Sequence, residues 1–308
     1  MAIAAKIIVS LVMVLFGWST PGLASSNSGA GIRVIDLTPR FMSFYSQAID
    51  VDDLDARFQL WKEHYDFVAL PPGLPDRDER AREMLDRVWP RYAEAEPHIR
   101  AGASILSPLP ETVVDSVVEL LGAVEELPPM GLLYFVGMFE DNAFFAPNPD
   151  GSLFVAVPAE MAPEKRKIAM AHEFVHAVHF VLSGLLAEPK TRVADVVFTE
   201  GLAMHATRAL FPELPDLKHL SASHDWLQEC NARLEEIMAG IVEHLLEENP
   251  EAVNRFTVGE GTAGLEREAY CVGWHVVDQL LFGGSSFAEL SRIPRSEIPS
   301  VVSGAFGQ

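Results

Sequence analysis

Two histidines and a glutamate lie together in one apolar stretch, Ala171-His172-Glu173-Phe174-Val175-His176. Residues four apart on an α-helix stand one above the other on the same face. His172 and His176 would therefore offer two imidazole nitrogens to one metal ion, with Glu173 a step round the helix. A metal lowers the pKa of its water to about 7, and a nearby carboxylate can take the proton as general base. A catalytic zinc takes three protein ligands and keeps one position open, so the motif is incomplete alone. With only three fixed residues it also arises by chance. Its surroundings count against chance. Pro163 and Glu164 read as a helix start, and from Ile168 to Leu186 the pattern is apolar nearly all round, which means burial. Polar groups buried on such a helix need partners, and a metal supplies them.

The third ligand is expected at Glu200, 24 positions after His176, in Thr199-Glu200-Gly201-Leu202-Ala203. The pattern predicts a second helix from about Asp195 to Leu210, with Glu200, Ala203, Met204 and Thr207 on one face. The small Gly201 and Ala203 would let it approach the first helix closely, as a short carboxylate ligand requires. Phe198, Leu202 and Met204 argue against a solvated face. His205 falls about 140° round from Glu200 on an ideal helix and should not share its metal.

These residues resemble the gluzincin clan of zinc metallopeptidases, in which H-E-x-x-H is followed by a helix bearing E-G-x-A. His172-Glu173-x-x-His176-x-x-His179, Glu200-Gly-Leu-Ala and Tyr270-Cys-Val-Gly273-Trp look most like the bacterial YjaZ-like predicted zinc-dependent protease family. The resemblance covers about residues 130–285. The metzincin pattern fails, because His179 and Leu182 occupy the places of its glycine and third histidine. The resemblance implies Zn2+ as cofactor, with His172, His176 and Glu200 as ligands and Glu173 as general base. It also implies an oxyanion-stabilising Tyr or His; Tyr270 is the candidate and His275, on the same helix, the second. His179 is expected beside the site rather than in the ligand set. Thermolysin-like enzymes place an Asp one turn after the glutamate ligand to orient a zinc histidine, but Met204 stands there, leaving Asp195 and Asp278 as candidates. In gluzincins an edge strand binds extended peptide, which would fall to Asn142–Phe145 or Ser152–Val157.

The chain has 308 residues, 49% hydrophobic, enough for one large domain or two modest ones. A net charge of −21 speaks against nucleic-acid or anionic-membrane partners. Residues 1–24 read as a secretory signal peptide: Lys6, an apolar run from Ile7 to Phe16, and small residues leading to cleavage near Ala24. The run is short for a membrane span. A flexible Ser/Gly-rich tether would fill 25–31, and the protein would be periplasmic or secreted. Cys230 and Cys271 are then in a compartment that permits a disulfide, though spacing does not show whether they meet.

From Arg33 to Pro128 the patterns are helical, over Thr38–Ile49, Asp52–Tyr65, Asp76–Trp89 and Pro110–Leu127. Breaks fall at Pro71-Pro72-Gly73, Pro90, Pro97 and Pro108. Gly131–Gly137 and Ser152–Val157 read as strands, with a turn at Pro149-Asp150-Gly151. Later segments read as an acidic helix over Asp225–Glu247, a flexible connection or lid over Gly259–Gly264, and a helix over Leu265–Phe282. His219, His224 and His244 are expected to be solvated. The expected fold is α+β and mostly helical: a helical region over 32–128, then a zincin-like catalytic domain over 129–308 with a small sheet packed on the H-E-x-x-H helix. The expected function is an exported zinc metallopeptidase acting on a peptide or protein. The alternatives are a non-catalytic zinc or peptide-binding module and a zinc amidase acting on cell-wall peptides.

Overall fold

The structure is a computed structural model that describes residues 32–70, 74–123, 127–148, 150–188 and 190–305. The expected signal peptide and tether, the Pro71-Pro72-Gly73 break and Pro149 lie outside the described residues. The fold is mostly helical with one small mixed four-stranded sheet. The chain forms two compact units. One contains the described residues of Leu11–Glu111 and Pro128–Met170, and the other those of Thr112–Leu127 and Ala171–Gln308.

In the first unit β1 (Arg33–Asp36) leads into α1 (Thr38–Ala48), α2 (Leu54–His64), α3 (Arg77–Val88) and α4 (Tyr92–Ala101). Helix α5 (Pro110–Leu120) leaves this unit after Glu111. The strands β2 (Met130–Phe135), β3 (Phe144–Pro147) and β4 (Leu153–Pro158) follow, and α6 (Pro163–Leu182) begins here. The sheet order is β1-β2-β4-β3, with β1, β2 and β4 parallel and β3 antiparallel on the edge. Strands β2 and β4 are buried almost throughout, which explains their unbroken apolar runs. The helical rings gather around Phe41, whose centroid lies 5.3 Å from Tyr65 and 4.8 Å from Tyr92. The hydroxyls of Tyr65 and Tyr92 donate to the carbonyls of Val136 and Gly137, fixing the chain just beyond β2.

The second unit takes α6 from Ala171 onward, then α7 (Val193–Leu210), α8 (Asp216–His219), α9 (His224–Ala232), α10 (Leu234–Val242) and α11 (Pro250–Thr257). It ends with α12 (Glu268–Phe282), α13 (Phe287–Leu290) and α14 (Ile298–Gly304). Its axis is the pair α7 and α12, both buried for most of their lengths. They touch backbone to backbone: a Cβ built on Gly201 would sit 2.1 Å from the Gly273 carbonyl oxygen, and one on Gly273 would sit 2.2 Å from that of Val197. Only glycine permits this approach. A Cys230–Cys271 disulfide ties α9 to α12.

Several expectations are corrected. Arg33–Asp36 is a strand; four residues carry no readable period, and the state comes from pairing with the distant β2. Helix α4 runs through Pro97. The acidic helix is two helices, parted at Arg233, whose guanidinium pairs with Glu229 and Glu236 and donates to the Ala263 carbonyl. Ser152–Val157 cannot be an open edge, because β4 lies between β2 and β3; Phe144–Pro147 is an edge strand. The glycine-rich segment is no loose lid. Its amides at Thr262, Ala263 and Leu265 donate to the fully buried Glu268 carboxylate, which occupies the space a Cβ on Gly261 would need.

Candidate metal centre

Helix α6 presents His172 and His176 one turn apart, and α7 presents Glu200 towards them. The three ligating atoms lie within 4.8 Å of one another. His172 Nε2 is 3.1 Å from Glu200 Oε2, His176 Nε2 is 3.4 Å from Glu200 Oε1, and the two Nε2 atoms are 2.9 Å apart. Around a tetrahedral ion with bonds of about 2.0–2.1 Å, ligand atoms lie about 3.3–3.4 Å apart. The observed distances straddle that value, so these side chains fit one zinc-sized ion after small rotations. Burial is deep, with side-chain exposures of 16%, 8% and 5% for His172, His176 and Glu200.

The electrostatics fit a cation between these groups. Burial alone would raise the Glu200 pKa, but the imidazoles of His176 and His172 hold its carboxyl well below the usual carboxylate range. Burial pushes His176 down, while the charge and hydrogen bond of Glu200, helped by Glu173, push it up further, leaving it raised. Glu173 is partly exposed beside the cluster, and its charge is felt by both His176 and Tyr270.

Tyr270 enters from α12, 5% exposed, with its phenol close enough to Glu200 and Glu173 to feel their charges. Burial, with the Glu200 charge second, lifts its pKa well above the ordinary value, so the phenol is a protonated donor at neutral pH. The site therefore brings together His172, Glu173, His176, Glu200 and Tyr270. The glycine contact explains the last pairing, because α12 lies directly on the Glu200 turn of α7. The expectation that Gly201 admits α6 is corrected on this point: the backbone it admits is that of α12.

Other candidates go elsewhere. Asp195 is 1% exposed and is held by Arg192 and Arg295 at the start of α7. Asp278 is an exposed partner of Arg208. His275 Nε2 faces Asn231 Oδ1 at 2.9 Å, beside the disulfide. Cys230, Cys271 and His275 form a second group of metal-ligating residue types, but their sulfurs are bonded to each other. His205 stacks on Trp274 at 4.0 Å and bonds its carbonyl, clear of the cluster as its angle predicts. His219 is 2% exposed and contacts Thr207 Oγ1, so its expected solvation is corrected. His179 is fully buried, edge-on to Phe198, with no partner for either ring nitrogen among the described residues; burial, then the His176 charge, lowers its pKa to about 3.

One neighbour carries no sequence signal for its role. Arg267, just before α12, has φ +61 and places its guanidinium 4.0 Å over the Tyr270 ring. No helix among the described residues is long and apolar enough to cross a membrane. Comparison with protein-family models, curated proteins and solved structures finds no match to this chain.

Proposed function

We propose that this protein is an exported zinc metallopeptidase of the gluzincin type, most like the YjaZ-like family, with a zincin-like catalytic domain. The observation that carries the proposal is the convergence of His172, His176 and Glu200 within 4.8 Å, with Glu173 and Tyr270 at the same place. A site that only stores or binds a metal has no use for that glutamate or for a buried phenol donor.

Zinc held by His172, His176 and Glu200 would supply an activated water and polarise the scissile carbonyl. Glu173 would take the proton of the attacking water and pass it to the departing amine, so that the C–N bond breaks as the amine becomes a good leaving group. Tyr270, the buried phenol near Glu200, would donate to the tetrahedral oxyanion. Burial of Glu200 and His176 keeps bulk water from weakening these contacts. Zinc stoichiometry tests the ligand set: about one ion per chain in wild type, with Glu200→Ala weakening binding at least tenfold. Zinc binding that survives His176→Ala unchanged would refute it.

A further inference from the structure

We propose that Arg267 is the positioning residue of this site, locking the Tyr270 ring so that its hydroxyl stays at the Glu200 edge of the metal centre. The proposal rests on the metallopeptidase reading for its catalytic consequence, but not for its geometry.

The backbone gives the first sign. Arg267 occupies the left-handed region, φ +61 and ψ +42, at the residue that precedes α12. Glycine takes this conformation freely, whereas any residue with a Cβ is strained in it. Contacts of the guanidinium must offset that strain, and they point one way. The cation lies 4.0 Å from the Tyr270 ring centroid and 5.7 Å from that of Trp226, which is the geometry of a cation–π clamp. Its terminal nitrogens donate to the carbonyls of Ser221 and Leu220 at 3.0 and 3.2 Å. Ser221 is itself at φ +48, so the segment that receives the arginine is also held in an uncommon conformation. The indole of Trp226 donates to the Glu266 carbonyl at 2.7 Å, fixing the chain one residue before Arg267.

The guanidinium is thus held by two carbonyls with its central carbon over one aromatic ring. Its Nε is buried without a hydrogen-bond partner among the described residues, a cost accepted in this orientation. Residues held in strained conformations by the structure around them concentrate at functional sites, where the strain fixes a geometry. Here the fixed object is Tyr270, whose buried phenol lies within reach of the Glu200 and Glu173 charges. A ring free to swing from the cluster would present its hydroxyl to an oxyanion only part of the time. A misplacement of about 1 Å costs on the order of 100-fold in rate.

The test uses the full chain with 3-fluorotyrosine incorporated, metal-free and zinc-loaded, in wild type, Arg267→Gly, Arg267→Lys, Tyr270→Phe and the Arg267→Gly/Tyr270→Phe double variant. The sequence has five tyrosines, and Tyr270→Phe assigns the fluorine signal of interest. Arg267→Gly relieves the backbone and should fold; Arg267→Met replaces it if it does not. In wild type the Tyr270 fluorine should report one fixed ring orientation, and in Arg267→Gly an averaged one, with or without zinc. For peptide cleavage, Arg267→Gly should lower kcat about 10–100-fold with KM within about threefold, and Arg267→Lys should recover part of it. The double variant should be no slower than Tyr270→Phe.

An unchanged Tyr270 signal in Arg267→Gly overturns the proposal, as does multiplication of the two losses in the double variant. If wild type cleaves no peptide while the signal still averages, the metallopeptidase reading fails and the positioning stands. Cleavage by Arg267→Gly at the wild-type rate defeats the positioning and leaves the reading intact.

Discussion

Alanine at Gly201 should destabilise this protein, although alanine in a helix interior is ordinarily worth about 1 kcal/mol over glycine. The new Cβ would stand 2.1 Å from the Gly273 carbonyl oxygen, 2.5 Å from its carbonyl carbon and 2.9 Å from its Cα. All three are backbone atoms of a buried helix, so no side chain can swing aside. Helices α7 and α12 must separate by nearly an ångström, and the contacts along their shared face loosen together. Overpacking of this kind costs about 1–3 kcal/mol, and rigid backbone on both sides argues for the upper end or beyond. After the alanine gain is subtracted, about 2 kcal/mol of net loss remains. The assay is urea unfolding of the oxidised protein, where the midpoint should fall with an unchanged slope. Gly304→Ala is the control: no atom of the described residues lies within 4 Å of its Cβ position, so that variant should be neutral or slightly more stable. Because Glu200 precedes Gly201, zinc affinity should fall with stability in Gly201→Ala alone. A Gly201→Ala protein as stable as wild type would refute the backbone contact and the account of how Tyr270 reaches Glu200.

Three further outcomes are expected. His179→Leu should raise stability by about 1 kcal/mol at neutral pH, because it removes two buried ring nitrogens that lack partners. The unfolded imidazole accepts a proton near 6.5 but the folded one resists to about 3, so wild type should lose up to about 1.4 kcal/mol per pH unit as pH falls through that window. Unfolding curves from pH 7 to 4 should show a shallower loss for His179→Leu, and parallel curves would deny the buried neutral histidine. Reducing Cys230–Cys271, whose partners are 41 residues apart, should cost about 4 kcal/mol by loop entropy, and an unchanged denaturation midpoint would contradict this. Arg295→Ala removes one of the two guanidinium partners of the buried Asp195 and should cost about 1–3 kcal/mol, whereas breaking the exposed Arg80–Asp76 pair should leave the denaturation midpoint essentially unchanged; equal losses would remove the distinction.

The meeting of His172, His176 and Glu200 was more legible in the sequence than the packing around them. His172 and His176 declare themselves by helical spacing, and Glu200 by the small and apolar residues around it, because those signals are local. The short strand at Arg33–Asp36 was not legible, since its state is set by β2 almost a hundred positions away. The partner of Gly201 is not legible for a related reason: small residues announce a close approach without naming the helix that makes it. Asp195 reads as a candidate partner for a zinc histidine, but Arg295, far along the chain, pairs with it instead. The glycines at 259–264 suggested mobility, yet they form the wall around Glu268, a role visible only when that side chain is placed. Nothing in the letters marks Arg267, because left-handed backbone at an arginine has no sequence signature.

The most direct test of the central claim compares wild type with Glu173→Gln at equal zinc content against a peptide library. The substitution keeps the shape and the metal ligands and removes only the base. The account predicts about one zinc in each protein, cleavage by wild type, and a loss of at least 100-fold in Glu173→Gln. Equal cleavage by the two proteins, or zinc-loaded wild type that cleaves no peptide, would contradict it.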